Sequence, residues 1–382
     1  MEQFDKIIDF IQGIYPNEGV VPLHAPRFFG KEKEYLNECI DSTFVSSIGP
    51  FVDRMERDLA KYTGAKHCVA VVNGTAALHM ALLVSGVKEG DGVITQAFSF
   101  IATSNAISYC KAFPFFVDID QNTLGMSATA LAEFLNGTEQ RDGGCYHVES
   151  GRRIAACVPM HSFGMPVDLD EIKALCDEHR ITLIEDAAES IGSIYKGKHT
   201  GTVGSIGVFS FNGNKTITCG GGGAIVTNDE YLAKKAKYLT TQAKVHHPYE
   251  FFHDEIGYNY RCPNINAALF CAQLEVLDQI LLDKRNTSDL YRKFIESEYN
   301  DIRFFKEDED RKSNYWLNAI LFNSWDEREY FIAKSIERGV MVRPSWKPMN
   351  HLPMFQNAWR DELSCTEKVY QTLVNLPSSA RV

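Results

Sequence analysis

Three short segments contain the residues most able to do chemistry, and the first of them centres on a lysine. The segment SFNGNKTITCGGGG holds Lys215 among small polar residues and ends in four consecutive glycines. Each glycine costs a helix interior about 1 kcal/mol relative to alanine, so this composition argues against a surface helix. Glycines permit a close approach of the backbone or a positive φ. The alternative interpretation of Lys215 is an ordinary solvated loop lysine.

The other two segments offer an acid and a site for an anion. ITLIEDAAES runs an apolar strand directly into Asp186, and a carboxylate there is costly unless it is paired. The alternative for Asp186 is an N-cap of a following helix. VVNGTAALHMALL places Gly74, Thr75 and Ala76 at the start of a helix, where free N–H groups and the helix dipole favour an anion such as phosphate.

Together these segments supply what pyridoxal 5'-phosphate (PLP) chemistry needs. PLP is a phosphate-bearing aromatic aldehyde, so its site needs a phosphate anchor, an acid for the ring nitrogen and a lysine that forms a Schiff base. The lysine must be shielded from the surface in order to lose its proton and attack a carbonyl. We therefore predict one site that contains Lys215, Asp186 and the helix start at Gly74.

An alternation of strand-like and helical segments from about residue 50 would position these residues. Strands such as HCVAVV, GVITQAF and ITLIEDA alternate with helices such as TAALHMALLVSG and LDEIKALCDEHR. This pattern is typical of βαβ units, so we predict an α/β fold with a mostly parallel sheet flanked by helices. Ligands bind such sheets beyond the carboxyl ends of the strands.

Two further regions are assigned from the same pattern. The stretch 136–153 is rich in glycine and charge and is predicted to be a surface loop or a small excursion from the alternating pattern. The segments YWLNAILF and REYFIAKSIERGVMVRP predict a strand, a helix and a strand of a smaller C-terminal α/β domain. We place the boundary near residue 270, which gives an N-terminal arm and large domain at 1–270 and a smaller domain at 271–382.

Charge and cysteine usage narrow the function classes. The formal net charge of -11 over 382 residues argues against nucleic-acid binding, which depends on clustered Lys and Arg, but leaves a small anionic ligand open. The ten cysteines include no C-x-x-C pair and are expected to be buried and reduced. There is no signal-peptide pattern and no apolar run near the roughly 18 residues of a membrane span. We expect a cytoplasmic protein without bound metal.

Motifs along nearly the whole chain resemble one enzyme family. They are SSIGPFVDRMERDLA, VVNGTAALHMAL, FSFIATSNAI, VDID, IEDAAESIG, GVFSFNGNKTITCGGGGAIVTND and GYNYRCPNINAAL. The chain resembles the sugar aminotransferases of the DegT/DnrJ/EryC1/StrS family, a branch of the aspartate aminotransferase-like fold (PLP fold type I). This resemblance implies PLP as the cofactor, passing through its pyridoxamine phosphate form during turnover.

The resemblance also implies which positions bind the cofactor. Lys215 would form the Schiff base and shuttle the proton, Asp186 would pair with the pyridine nitrogen, and Phe100 would stack on the ring. The positions implied to bind the cofactor are Gly74, Thr75, Ala76, Phe100, Asp186, Glu189, Ser210, Lys215 and Asn259.

The remaining implied roles concern the phosphate and the subunit interface. Gly74, Thr75 and Ser210 would hold the phosphate. Glu189 would lie near the phenolic oxygen, at a position where relatives often have Gln or His. Asn259, in GYNYR, would reach the phosphate bound by the neighbouring subunit, which implies a homodimer with shared active sites.

A finer resemblance is to the LegC-like branch, which aminates UDP-linked 4-keto-6-deoxy sugars on the way to bacillosamine or legionaminic acid. It is carried by PLHAPRFFG, IDSTFVSSIGPFV, TTQAKVHHPYEFFHDEIGYNYR, VRPSWKPMNHLPMF and VNLPSS. The implied reaction is ping-pong from L-glutamate to UDP-2-acetamido-2,6-dideoxy-4-hexulose. Asn350, His351 and Pro263 depart from the family pattern, and these departures concern the sugar pocket rather than the cofactor.

Two alternative functions stay open. One is a PLP-dependent sugar dehydratase of the same fold, whose relatives replace the lysine with histidine, so Lys215 argues against it. The other is a non-catalytic regulator that binds a sugar nucleotide. Such a regulator would have no reason to keep Lys215, Asp186 and Phe100 together.

Overall fold

A nine-stranded mixed sheet forms the centre of the fold in the computed structural model, which describes residues 4–16 and 18–382. The strands of the chain are β1 (His67–Val71), β2 (Gly92–Gln96), β3 (Phe113–Val117), β4 (Thr138–Arg141), β5 (Gly144–His147), β6 (Arg153–Val158), β7 (Thr182–Asp186), β8 (Ile194–Tyr195), β9 (Lys198–His199), β10 (Ile206–Ser210), β11 (Gly223–Thr227), β12 (Lys244–Val245), β13 (Phe252–His253), β14 (Arg303–Phe304), β15 (Arg311–Lys312), β16 (Asn318–Leu321), β17 (Arg343–Pro344) and β18 (Leu373–Leu376).

The helices alternate with these strands through the first two thirds of the chain. They are α1 (Asp5–Ile14), α2 (Glu32–Asp41), α3 (Pro50–Thr63), α4 (Gly74–Val84), α5 (Ile101–Tyr109), α6 (Ala128–Leu135), α7 (Leu169–His179), α8 (Glu230–Thr240), α9 (Asn264–Glu275), α10 (Leu277–Glu298), α11 (Trp325–Glu337) and α12 (Ser364–Thr372). The predicted βαβ alternation is confirmed.

The central sheet is mostly parallel, as the sequence predicts. Its main path is β1-β11-β10-β7-β6-β2-β3. The strands from β10 to β3 along this path pair in parallel, whereas β11 is antiparallel to both β1 and β10. Its central strands β2, β7, β10 and β11 are almost entirely buried, so both faces of this part of the sheet are covered. The parallel part of the sheet therefore brings the carboxyl ends of β7 and β10 to one edge.

The stretch 136–153 is not the surface loop that we expected. It forms a hairpin in which β4 pairs with β5, and β5 extends the central sheet by pairing with β6. The turn is Asp142-Gly143, with φ of 51° and 78°, which is the combination that a two-residue hairpin turn requires. The Asp-Gly pair in the sequence is the signal for this hairpin.

A second sheet of four antiparallel strands lies in the C-terminal part of the chain, in the order β14-β16-β18-β17. The apolar face of α1 packs in the same core as this sheet, and Phe4 contacts Phe322 with ring centroids 5.1 Å apart. Helix α1, which we grouped with the larger domain, therefore packs with the C-terminal sheet. The domain boundary near residue 270 stays a prediction.

Three of the four glycines after Lys215, namely Gly220, Gly222 and Gly223, adopt the geometry expected of them. Gly220 has φ +80°, and a Cβ on Gly222 would lie 2.2 Å from Cys219 Sγ. A Cβ on Gly223 would lie 2.5 Å from the carbonyl carbon of Asn73. These contacts bring the β10–β11 connection against the start of α4.

Two other expectations concern cysteines and membrane spans. All ten cysteines are free thiols, and eight of them are buried. Across the described ranges, no single helix has the length and apolarity to cross a bilayer. The helices α9 and α10 meet that criterion only as a pair, and they are bent by 59° at their junction.

Replacing Gly223 with alanine is expected to destabilise the fold by about 1–3 kcal/mol, because the new methyl group meets the rigid backbone of Asn73 and Gly74. The measurement is the free energy of unfolding from urea titration. Gly213→Ala is the control, because a Cβ at Gly213 meets no atom within 4 Å. Equal stability of the two variants would contradict the predicted close approach.

Candidate active site

The predicted site residues come together at the carboxyl edge of the central sheet. Asp186 is the last residue of β7, and Ser210 is the last residue of its parallel neighbour β10. A cavity of about 360 Å³ opens at this edge. Its lining residues are Asn73, Gly74, Thr75, Leu78, Phe100, Ala102, Met160, Asp186, Ala188, Glu189, Ser210, Asn212, Asn214, Lys215, Trp316 and Trp346.

Most of the predicted cofactor-binding residues line this cavity, but two do not. Those that do are Gly74, Thr75, Phe100, Asp186, Glu189, Ser210 and Lys215. Ala76 does not line it, and its N–H donates to Asn73 Oδ1 at 2.8 Å. This bond already occupies the donor that we expected Ala76 to offer to a phosphate. Asn259 also lies outside the cavity of its own chain and is exposed.

Asp186 is a buried carboxylate held by hydrogen bonds. It is 2% exposed; Thr103 Oγ1 donates to its Oδ2 at 2.6 Å, and the Ala188 N–H donates to its Oδ1 at 3.2 Å. Burial raises the pKa of Asp186, and the Thr103 hydrogen bond, the Ala188 N–H and Lys215 oppose this rise. A turn rather than a helix follows Asp186, so the helix N-cap alternative is wrong.

Lys215 lies between a carboxylate and an indole ring. Its side chain is 12% exposed, and Nζ donates to Glu189 Oε1 at 3.2 Å. Nζ also lies 4.0 Å from the centroid of the Trp316 ring, within cation–π distance. Lys215 is therefore not the solvated loop lysine of the alternative interpretation.

Glu189 connects Lys215 to a strained backbone segment. Its Oε2 accepts the Phe163 N–H at 2.9 Å, and Phe163 has φ +57°, which is unfavourable for a residue with a large side chain. Burial raises the pKa of Glu189, while Lys215 and the Phe163 N–H lower it. A low-dielectric site thus holds Lys215 and two carboxylates close together.

The start of α4 forms the anion-binding side of the cavity. Asn73 caps the helix by accepting the Ala76 N–H with its side chain and the Ala77 N–H with its carbonyl. For the N–H groups of Gly74 and Thr75 there is no acceptor in the described part of the chain, as is usual for the first turn of a helix. A Cβ on Gly74 would lie 2.7 Å from Ser210 Cβ, so glycine is what lets α4 approach the end of β10.

The cavity is lined by more acidic than basic side chains. Among the described residues that line it, Lys215 is the one cation, and Asp186 and Glu189 are both acids. An anion bound at the start of α4 would therefore be held by neutral donors of this chain, namely backbone N–H groups and the Thr75 and Ser210 hydroxyls.

Two aromatic walls of the cavity were missed by the sequence analysis. Trp316 precedes β16, and its Nε1 donates to the Asn214 carbonyl at 2.7 Å. Trp346 follows β17 and stacks on Phe163 with ring centroids 4.8 Å apart. Both tryptophans come from segments more than 100 residues after Lys215, so no local spacing in the sequence links them to it.

A family model for the DegT/DnrJ/EryC1/StrS aminotransferase family matches residues 28–382. The chain belongs to this family. It is 38% identical to EpsN of Bacillus subtilis (strain 168), named as a pyridoxal phosphate-dependent aminotransferase, over 94% of this chain and 91% of the relative. It is also 38% identical to GDP-perosamine synthase of Escherichia coli O157:H7, over 94% of this chain and 93% of the relative.

Solved structures agree with this family assignment. The aminotransferase TlmJ from Streptoalloteichus hindustanus is 25% identical and superposes with a TM-score of 0.85, over 94% of each chain. The predicted fold type I architecture, the aminotransferase activity and the PLP cofactor are thereby confirmed for this family member. The LegC-like branch stays a prediction.

The residues at the strand edge fit PLP. The start of α4 offers free N–H donors for a phosphate, Asp186 offers a buried carboxylate for a ring nitrogen, and Lys215 offers an amine in the same cavity. Bound PLP supplies an electron-accepting ring and an aldehyde carbon. Phe100, at the start of α5, is 48% exposed and is free to stack against a planar ring.

Asp186→Asn is expected to lower turnover by about 100-fold or more while leaving the fold intact, because it removes the charge that would hold a ring proton. Burial raises the pKa of Asp186 in the folded state, so its ionisation lowers the stability as the pH rises from the unfolded-state pKa through that raised value. Stability by urea titration should therefore fall by no more than about 1 kcal/mol. The control is the exposed Asp177→Asn; near-normal turnover of Asp186→Asn would reduce Asp186 to a structural role.

Proposed function

We propose that this family member transfers an amino group from L-glutamate to a nucleotide-linked 4-keto-6-deoxy sugar and releases the 4-amino sugar. The observation that carries the proposal is the placement of Lys215 Nζ, 3.2 Å from Glu189 and in one cavity with the buried Asp186. An amine next to a buried proton acceptor can both attach to a carbonyl and move a proton. We also propose that the enzyme works in the cytoplasm.

Each residue of the cavity has a defined task in this proposal. The Lys215 amine would hold PLP, and the same amine, once free, would move the proton of the substrate carbon. Asp186 keeps the pyridine nitrogen protonated, because a carboxylate in a buried site strongly favours a neighbouring cation. Glu189 accepts a proton from Lys215 Nζ across their hydrogen bond. Gly74, Thr75 and Ser210 hold the phosphate.

The sugar nucleotide is the finer part of the proposal. The LegC-like resemblance favours UDP-2-acetamido-2,6-dideoxy-4-hexulose as the acceptor. The relative named GDP-perosamine synthase makes a GDP-linked sugar the main competitor. In this proposal the acceptor carries its ketone at C4 with either nucleotide, so the transamination chemistry is the same.

A panel of UDP-, dTDP- and GDP-linked 4-ketosugars with L-glutamate should identify the acceptor. We expect formation of 2-oxoglutarate and of a 4-amino sugar, detected by mass spectrometry, with the UDP-linked N-acetyl sugar converted fastest. Lys215→Ala should bind PLP without turnover.

The same panel separates the alternatives. A product that has lost water without gaining nitrogen would indicate the dehydratase. Binding of sugar nucleotides by the wild type with no conversion of any of them would indicate the regulator. Sustained transamination by Lys215→Ala would contradict the role of Lys215.

A homodimer with shared sites is the second part of the proposal. Asn259 is exposed on its own chain, and the nearby hairpin segment presents Tyr249, Phe251 and Ile256 with 79%, 81% and 83% of their surface exposed. Large apolar side chains that are exposed together in one surface segment are typical of an interaction surface. The side-chain amide of Asn259 from a partner chain would add one more neutral hydrogen-bond donor to the phosphate site.

The backbone around Asn259 is well anchored for such a task. The Val72 N–H donates to the Tyr260 carbonyl at 2.8 Å, and the Tyr260 N–H donates to Thr240 O at 3.2 Å. Tyr260 Oη also pairs with His79 Nδ1 at 3.1 Å. Asn259 is therefore exposed on a segment that is hydrogen-bonded to the end of β1 and to the end of α8.

Mixing Lys215→Ala chains with Asn259→Ala chains tests this arrangement. Half of the reassociated dimers would be hybrids, each with one intact site, so activity should recover to about a quarter of the wild-type value. Hybrid formation is checked by native mass spectrometry. Hybrids with no more activity than the average of the two parents would contradict a role of Asn259 across the interface.

A further inference from the structure

Lys284, on α10, is a buried lysine that the proposed reaction does not use. It is 1% exposed. Its Nζ donates to Trp316 O at 3.2 Å and to Ser378 O at 2.5 Å, and it is hydrogen-bonded to His24 Nε2 at 3.0 Å. The protonated amine has three N–H donors, so it can donate to all three groups when His24 carries its ring proton on Nδ1.

The surroundings of Lys284 contain no ion-pair partner. Within residues 4–16 and 18–382, no carboxylate oxygen lies within 4.0 Å of its Nζ. The carboxylate of the adjacent Asp283 pairs with Arg381 instead, with Nη2 2.9 Å from Oδ1.

Burial lowers the pKa of Lys284 to about 7, and Asp283 opposes this shift. The other cationic or titratable groups near this network are His24, Arg27 and Lys215.

Trp316 connects Lys284 to the active site. Lys284 holds the carbonyl of Trp316, and Asn314 Oδ1 accepts the Trp316 N–H at 2.8 Å. The indole of Trp316 donates to the Asn214 carbonyl at 2.7 Å and lies 4.0 Å from Lys215 Nζ. The backbone just before Lys215 and the amine at its tip are thus both in contact with one side chain.

We propose that Lys284 is a positioning residue for Lys215 and acts through Trp316. As an ammonium it fixes the Trp316 carbonyl, and the indole then holds the Asn214 backbone and covers one side of Lys215 Nζ. A neutral amine has only two N–H donors, so with the His24 ring proton on Nδ1 the loss of the Lys284 proton leaves one of the three groups without a donor. The inference rests on the proposed function, in which Lys215 attaches PLP.

The first test measures how fast the cofactor-free full-length protein attaches PLP at pH 6.5. Borohydride trapping followed by peptide mass spectrometry gives the rate at Lys215 without any turnover. Lys284→Met is expected to react about tenfold more slowly, because a small misplacement of a reacting group has large effects on rate. Lys293→Met is the matched control, because Lys293 is exposed on the same helix.

The second test asks whether the effect passes through Trp316. Trp316→Phe keeps a ring but loses the donor to Asn214, so its effect on the trapping rate should not add to that of Lys284→Met. The ratio of wild-type to Lys284→Met rates should also shrink from pH 6 to pH 8, as Lys284 loses its proton in the wild type. Additive effects with a pH-independent ratio would overturn the inference.

The outcomes separate this inference from the proposed function. No trapping at Lys215 in the wild type would refute the proposed function and the inference with it. Trapping in the wild type and an equal rate in Lys284→Met would refute only the inference. If Lys284→Met does not fold, Lys284→Gln, which keeps two donors without the charge, serves in the same measurements and should also react more slowly than the wild type.

Discussion

The ammonium group of Lys215 compensates the charge of two buried carboxylates, Asp186 and Glu189, at the edge of the central sheet. Asp186 and Glu189 are 2% and 3% exposed, and ionised carboxylates at such depth are costly unless a cation and hydrogen bonds compensate them. Lys215 is the cation, and the N–H groups of Ala188 and Phe163 and the Thr103 hydroxyl supply the hydrogen bonds. The site therefore depends on several chain segments that must be placed together accurately.

The fold meets this requirement through strand ends and close backbone packing. Parallel pairing of β7 with β10 places Asp186 opposite Val208, so that Asp186 and Ser210 both lie at the edge where these strands end. The glycines at 74 and 223 remove the side chains that would separate α4 from β10 and from the β10–β11 connection. Since these contacts involve backbone atoms, the anion-binding helix start and the lysine segment form one rigid unit.

Local sequence signals predict the parts of the site that depend on local structure. The apolar strand that ends at Asp186, the glycine run after Lys215 and the helix start at Gly74 each have a pattern whose physical cause is visible in a few residues. Trp316 and Lys284 have no such pattern, because their contacts join segments far apart in the chain. The sequence also could not show that Ala76, unlike Gly74 and Thr75, has no free N–H for a phosphate. The Ala76 N–H donates to the Asn73 side chain, and the orientation of that side chain is not defined by the sequence alone.

The packing of α1 with the C-terminal sheet has a consequence for folding during synthesis. Strands β1 to β11 lie within residues 67–227, so the central sheet can assemble while the rest of the chain is still being made. Helix α1 is synthesised before the central sheet, yet the partners of its apolar face, such as Phe322 and Phe331, are synthesised after that sheet. Its apolar residues Ile7, Ile8 and Ile11 thus stay without their native cover for most of translation. The first helix is among the last elements to dock, and the closing of this long-range contact completes the smaller core.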